Sequence, residues 1–278
     1  MAGSRSDEGR AIAISSPGHP DRRSLGRDVD GGHVAIDPGR ASVTYRVVVI
    51  AGRGRYEDPW HDHAATCHQI ALVLAELGEQ FDVEVRGAFP DAFNDLARVD
   101  LLVVNSGSGR ADAVLDGADV TWLAVHERVH AFARNGGAVL GLHQAANTFA
   151  DSSYWAKILG GRWVPGISTH PPIGDCTINV RTGIHPITQG LGDINLFDER
   201  YCDLWTAPGV QVLATHEEDG RDHPVVWVNT SGGYRSVYDA LGHDVRALES
   251  RGRRRLLRRE ALWLLGEPVQ SNEDADGR

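Results

Sequence analysis

The first half of the chain alternates short apolar runs with amphipathic stretches. Runs bounded by turn residues are typical of strands buried on both faces, and apolar residues at helical spacing are typical of helices packed on a core. The predicted strands are residues 45–51, 81–85, 101–105 and 138–142. The predicted helices are residues 64–78, residues 120–134 and a further helix after His143. Strand-helix alternation of this kind predicts a parallel sheet covered by helices.

The second half has a different pattern, with short strand candidates close together. These candidates are residues 176–180, 210–215, 224–229 and 234–240. They predict a β-rich C-terminal extension on an α/β fold with a mostly parallel central sheet. Residues 251–265 form an amphipathic pattern, with leucines on one stripe and arginines between them. This pattern favours a helix with a solvated basic face over a nucleic-acid-binding segment.

Both ends of the chain lack the apolar residues that a packed core needs. We therefore expect residues 1–42 and 267–278 to be disordered tails around one domain, residues 43–266. The formal net charge of -10 argues against nucleic acid as a partner. The chain has no apolar run of membrane-spanning length and no signal-peptide core, so we expect a cytoplasmic protein without a membrane partner. Association into a homo-oligomer stays open.

The stretch from residue 136 to residue 149, GGAVLGLHQAANTF, contains the most informative pattern for function. It predicts a strand that turns sharply into a helix at His143. Ligands of open α/β sheets bind beyond the carboxyl ends of the strands, so an elbow residue points into a pocket. Gly141 and Ala145 leave room for that elbow. The alternative is a structural histidine that bonds a neighbouring backbone group.

Three further positions place chemistry near the same crevice. His61 lies in the loop after the first strand, and His243 follows the strand of residues 234–240, with Asp244 as an orienting partner. The acid pair Asp198-Glu199 offers a general acid/base or a metal carboxylate. Three histidines and a carboxylate suffice for a divalent metal such as zinc. For His61 the alternative is a structural loop in which Asp62 only caps the following helix. For the acid pair the alternative is a salt bridge to an arginine.

Several other histidines have a simpler interpretation. His63, His68, His126, His130 and His216 are interpreted as exposed residues on helix faces or in loops. The GSG sequence at residues 107–109 predicts a close backbone approach near the pocket. Tryptophans at positions 60, 155, 163 and 205 suit sugar rings as aromatic platforms, although core packing is the commoner role of each.

Six motifs occur in an order that resembles the ThuA-like (trehalose utilisation) family. They are GGAVLGLHQAANTF, HPP at residues 170–172, HPITQGL at 185–191, DERY at 198–201, HPVVW at 223–227 and LGH at 241–243. The resemblance covers about residues 45–266. It implies membership of the class I glutamine amidotransferase-like superfamily and a flavodoxin-like three-layer sandwich. It also implies a role in the catabolism of trehalose or a related carbohydrate, including an oxidised (keto) disaccharide.

The resemblance also assigns roles to residues. It implies that Glu199 is the catalytic carboxylate and acts together with His143 and His243. It also implies that the substrate is contacted by Tyr201, Asp198, His170 and His61. We expect His61, His143 and His243 to be the metal ligands, with zinc as the metal. The small-molecule partner would be a carbohydrate, and the activity that of a hydrolase or lyase.

The elbow residue separates this chain from its amidotransferase relatives, which the resemblance expects to have a nucleophilic cysteine at that point. Here His143 occupies the elbow, and Cys67, Cys176 and Cys202 all lie elsewhere. An imidazole at this point acts as a base or a ligand, because the acyl chemistry of glutamine hydrolysis uses a thiolate. We therefore expect no glutaminase activity. A non-catalytic sugar-binding or regulatory module stays open as the alternative function.

Overall fold

The apolar runs of the first half form four parallel strands. A computed structural model describes residues 43–269. The strands are β1 (Tyr45–Ala51), β2 (Phe81–Gly87), β3 (Leu101–Asn105) and β4 (Ala138–Leu142). They lie in the order β2-β1-β3-β4, and every pairing among them is parallel. All residues of β3 and β4 are buried, as expected for inner strands covered on both faces.

The strands of the second half extend the same sheet. They are β5 (Gly161–Arg162), β6 (Gly174–Val180), β7 (Ile194–Asp198), β8 (Trp205–Thr206), β9 (Gln211–Glu218), β10 (Arg221–Asn229) and β11 (Arg235–Asp239). Strand β11 pairs in parallel with β4, and the order continues β11-β10-β9-β6-β7 with antiparallel pairings. Within residues 43–269 nine strands thus form one mixed sheet, and β5 and β8 pair separately. The α/β class is confirmed, and the predicted β-rich extension is the antiparallel part of this sheet.

Four α-helices accompany the strands in the described part of the chain. They are α1 (His63–Ala75), α2 (Asp119–Arg134), α3 (Trp155–Leu159) and α4 (Arg251–Leu265). Asp62 caps α1 by accepting a hydrogen bond from the Ala65 amide. Helix α4 packs against α1 and against strands β4 and β11. None of the described helices is long and apolar enough to cross a membrane. The three-layer arrangement stays a prediction.

The helix predicted directly after His143 is replaced by a short turn. Residues His143–Ala146 form one turn of 3₁₀ helix, and the next α-helix begins only at Trp155. Phe149 takes a left-handed backbone conformation (φ 49°), so no right-handed helix passes through this position. The prediction of an α-helix directly after His143 was wrong.

Three of the histidines expected to be exposed are buried. His63, His126 and His216 are at most 4% exposed, so the expectation was wrong for them. His126 lies 3.1 Å from Asp151, and His216 lies 2.9 Å from the Tyr201 carbonyl oxygen. These polar partners explain how the imidazoles of His126 and His216 are tolerated inside. The predicted tails lie outside the described residues, apart from residues 267–269.

Candidate functional site

A cavity of about 430 Å³ opens beyond the carboxyl ends of β4 and β11. Trp60 and Trp163 lie in its lining. Five of the residues that the sequence placed in the pocket also line it: His61, His170, Glu199, Tyr201 and His243. The sequence pattern therefore identified most of the polar wall of this cavity, and the position agrees with the rule for open α/β sheets.

His143 lies at the elbow after β4, and the sheet register decides its contacts. Leu142 pairs with Asp239 of β11, so the two chain segments leave the sheet side by side. The His143 Nδ1–H accordingly donates to the carbonyl oxygen of Ala240 at 2.7 Å. Because a carbonyl only accepts, this bond leaves a lone pair on Nε2 of the neutral ring. His143 is 1% exposed and has a left-handed backbone (φ 44°), the strained conformation that a sharp elbow requires.

The room at this elbow comes from Gly141, as the sequence predicted. A Cβ on Gly141 would lie 2.7 Å from the Leu159 side chain and 3.2 Å from Cβ of Ala145. The Tyr238 hydroxyl donates to the carbonyl oxygen of His143 at 2.8 Å and holds the strained residue from the other side. The elbow is thus fixed by packing and by a buried hydrogen bond.

His61 reaches the same centre from the loop before α1. Its Nδ1–H donates to Oδ1 of Asp58 at 2.8 Å, and both side chains are less than a tenth exposed. This bond leaves the His61 Nε2 lone pair free, and that atom lies 3.1 Å from Nε2 of His143. Carboxylates and carbonyls in this position are the usual outer partners of metal-binding histidines.

Glu199, which follows β7, and His243 complete the cluster. Oε2 of Glu199 lies 3.6 Å from Nε2 of His143 and 3.4 Å from Nδ1 of His243. Within residues 43–269, His61, His143, Glu199 and His243 each offer one ligand atom, and these atoms lie within 4.8 Å of one another. Ligand atoms around a tetrahedral zinc ion are about 3.3 Å apart, given bonds of about 2.0–2.1 Å. The residues present therefore fit a divalent metal.

Burial and charge set the protonation of this cluster. Burial lowers the pKa of His143 to about 4, against the opposing effect of the nearby Glu199 carboxylate, so its ring is neutral at pH 7. Burial would raise the pKa of Glu199, but contacts with His143 and His243 hold it well below its usual range. Burial would lower the pKa of His243, but the Glu199 carboxylate raises it. The site thus combines a neutral imidazole with an ionised carboxylate.

Three predicted substrate contacts occupy different places. The Tyr201 hydroxyl donates to Nε2 of His143 at 3.1 Å, and burial keeps the pKa of this phenol well above its usual value. His170 is more exposed, and its Nδ1 lies 3.0 Å from Oε1 of Glu199. Asp198 is fully buried and accepts hydrogen bonds from the backbone amides of Glu199, Gly242 and His243. Asp198 therefore supports the site from behind, which corrects the expectation that it contacts substrate.

Sequence reasoning missed the groups that orient the histidines. Asp58 precedes His61 by three residues in one loop, and this Asp/His spacing was the available signal. Nothing in the sequence pointed to the Ala240 carbonyl, because its role depends on the β4–β11 register. Asp244, expected to orient His243, instead pairs with Arg246.

The motifs and the fold agree with a comparison against known families. The model of the ThuA family, described as trehalose utilisation, matches residues 46–264. The chain belongs to this family. A search among curated proteins finds no match.

Solved structures of ThuA-like proteins share the fold of this member of the family. One from Parabacteroides merdae ATCC 43184 is 21% identical with a TM-score of 0.66, over 82% of this chain and 92% of that one. One from Bacteroides uniformis ATCC 8492 is 18% identical with a TM-score of 0.65, over 86% of this chain and 100% of that one. A β-galactosidase from Rahnella sp. R3 is 16% identical with a TM-score of 0.54, over 81% of this chain but 31% of that one.

Proposed function

We propose that this member of the ThuA family acts on trehalose or a related disaccharide, including a keto-disaccharide, in carbohydrate catabolism. The substrate would enter the cavity between Trp60 and Trp163, whose ring faces suit the apolar faces of a sugar. The reaction would take place at a divalent metal, with zinc as the expected ion, held by His61, His143 and His243. The reaction class that we favour is hydrolysis or lyase chemistry.

One observation carries this proposal. His61 and His143 each have Nδ1 committed as a donor, to Asp58 and to the Ala240 carbonyl. Their Nε2 lone pairs then face one another at 3.1 Å, an arrangement that repels unless a proton or a cation lies between them. His243 offers a third donor and the Glu199 carboxylate lies beside them, with the four atoms within 4.8 Å of one another.

The surrounding residues have distinct tasks in this proposal. When bound, the cation supplies Lewis-acid polarisation of a substrate oxygen. Tyr201 keeps its proton, and with a cation on Nε2 of His143 its hydroxyl would be free to donate a hydrogen bond to a substrate oxygen instead. His170 contacts Glu199 from the more exposed side of the cavity, at 3.0 Å, and this contact links the carboxylate to the cavity entrance. Glu199, which stays ionised, would place a negative charge beside the cation while His170 orients the carboxylate.

The alternative is a sugar-binding module without turnover. That alternative predicts histidines in ordinary surroundings, whereas the pKa values of His143 and His243 are shifted in opposite directions. Shifted pKa values of neighbouring groups in a cavity favour a catalytic site. Burial raises the pKa of Cys67 to about 12 and that of Cys202 to about 11, which supports the absence of thiolate glutaminase chemistry.

The test begins with metal analysis of full-length protein purified without a histidine tag. We expect about one divalent ion per chain, as for a mononuclear site. A turnover screen on disaccharides and keto-disaccharides then follows, with His143→Ala as the inactive variant. His68→Ala is the matched control, since it removes an exposed histidine of α1.

Each outcome of this test decides between the functions. Metal binding and turnover, both lost in His143→Ala, would support the proposal. Sugar affinity without turnover would favour the binding module. Glutaminase activity that survives His143→Ala, or a wild-type protein that binds no metal and converts none of these sugars, would refute the proposal.

A further inference from the structure

The loop after β11 contributes to the site twice within four residues. Ala240 accepts the hydrogen bond that orients His143, and His243 lines the cavity. Asp198 holds the end of this loop, with the Gly242 amide donating to Oδ2 at 2.7 Å and the His243 amide to Oδ1 at 2.9 Å. The position of two site groups therefore depends on how residues 240–243 are held.

The middle of the loop is held by a buried ion pair that no part of the proposed chemistry uses. Arg253 of α4 donates from Nη2 to the Leu241 carbonyl oxygen at 3.1 Å. The Leu241 amide donates to Oδ1 of Asp239 at 2.8 Å. Nη1 of Arg253 lies 3.1 Å from Oδ2 of Asp239, and the two side chains are 1% and 0% exposed. Arg253 thus binds the carbonyl oxygen of Leu241, and Asp239 binds its amide.

Stability alone does not explain the buried ion pair between Arg253 and Asp239. Arg253 is surrounded by the fully buried carboxyl groups of Asp198, Asp239 and Glu260. Burial raises the pKa of both Asp239 and Glu260, and the positive charge of Arg253 opposes this rise in each. Desolvation of a buried ion pair offsets most of its Coulombic attraction, so apolar side chains of similar volume would stabilise the core equally well. A geometric role for the pair accounts for its position better.

We infer that Arg253 is a positioning residue of the proposed metal centre. Through Asp239 and the Leu241 peptide it sets the path of residues 240–243, and with it the Ala240 carbonyl and the His243 ring. The C-terminal helix α4 therefore belongs to the site, although none of its side chains lines the cavity. The inference rests on the proposed function, because the centre is taken to bind a metal.

The test compares two arginine-to-lysine variants of the same helix. Arg253→Lys keeps the charge but cannot contact the Leu241 carbonyl and Asp239 with one planar group. Arg259→Lys is the matched control, because Arg259 is 3% exposed and donates instead to the carbonyl oxygens of Ile187 and Gln189. Zinc affinity of the tag-free full chain is measured by competition with a chromophoric chelator. We expect Arg253→Lys to bind zinc about 10–100-fold more weakly and Arg259→Lys to match the wild type.

Amide hydrogen exchange of the metal-free protein separates this inference from the proposed function. We expect the segment of residues 240–243 to exchange faster in Arg253→Lys than in Arg259→Lys. If the wild type binds no zinc, the proposed metal fails, and unchanged exchange in this segment would overturn the positioning role as well. Equal losses of zinc affinity in both variants would also overturn it. If Arg253→Lys does not fold, Asp239→Asn, which keeps an acceptor for the Leu241 amide, takes its place.

Discussion

His63 should make this protein sensitive to acid. It is the first residue of α1, it is 1% exposed, and neither ring nitrogen has a hydrogen-bond partner among the described residues. Burial, together with the neighbouring His61, lowers the pKa of His63 from 6.5 to about 4. The folded state therefore holds this ring neutral, whereas the unfolded chain protonates it below pH 6.5.

The size and sign of the effect follow from linkage. A depressed histidine pKa means that the unfolded state binds more protons between pH 6.5 and pH 4. Stability from the neutral ring is complete above pH 6.5, decreases as the pH falls and changes no further well below pH 4. A shift from 6.5 to about 4 corresponds to a loss of about 3 kcal/mol for this one group.

The assay is urea denaturation of the metal-free protein at pH 7 and at pH 4. We expect His63→Gln to reduce the fall in unfolding free energy between the two values by about 3 kcal/mol. His68→Gln, which replaces an exposed histidine of the same helix, should leave the fall unchanged. A fall of the same size in His63→Gln and in the wild type would show that burial of this ring does not set the acid sensitivity.

Two more predictions concern the loops beside the site. Asp58→Asn should weaken zinc binding by about 10–100-fold in a chelator competition. Asp62→Asn replaces one good helix cap by another and should leave zinc affinity unchanged. Equal zinc affinities of the two variants would contradict the role of Asp58. Gly109→Ala would place its Cβ 1.9 Å from the Glu57 carbonyl oxygen and should lower the melting temperature by several degrees. Gly192→Ala meets no atom within 4 Å, so a similar loss there would refute the steric argument.

The sequence was sufficient for the features that depend on local pattern. Continuous apolar runs identified the strands that end near His61 and His143, since inner strands are buried on both faces. Residues that follow strand ends converge at one edge of a sheet, which is why His143 and His243 were placed together correctly. The GSG turn was also interpreted correctly as a close backbone approach, because a Cβ on Gly107 would lie 1.7 Å from Gln144.

Features that depend on register or on burial across the fold were not predictable. The Ala240 carbonyl meets His143 only because β11 pairs with β4, and these strands are far apart in sequence. His63 looked exposed because it lies at the start of a helix, yet it is 1% exposed and its ring lies close to Gly52. Arg253 looked like one more solvated arginine of α4, and its buried ion pair depends on tertiary packing.

The pairing of β11 with β4 also has a consequence for folding during synthesis. Ribosomes deliver Ala138–Leu142 long before Arg235–Asp239, so one side of β4 has no strand to bond while the chain is synthesised. At about 5–20 residues per second, that edge stays open for roughly 5–20 seconds. An open, fully apolar edge strand is a template for aggregation. We therefore expect chains that are truncated before residue 235 to be insoluble, and high-yield expression to depend on a chaperone that covers this edge.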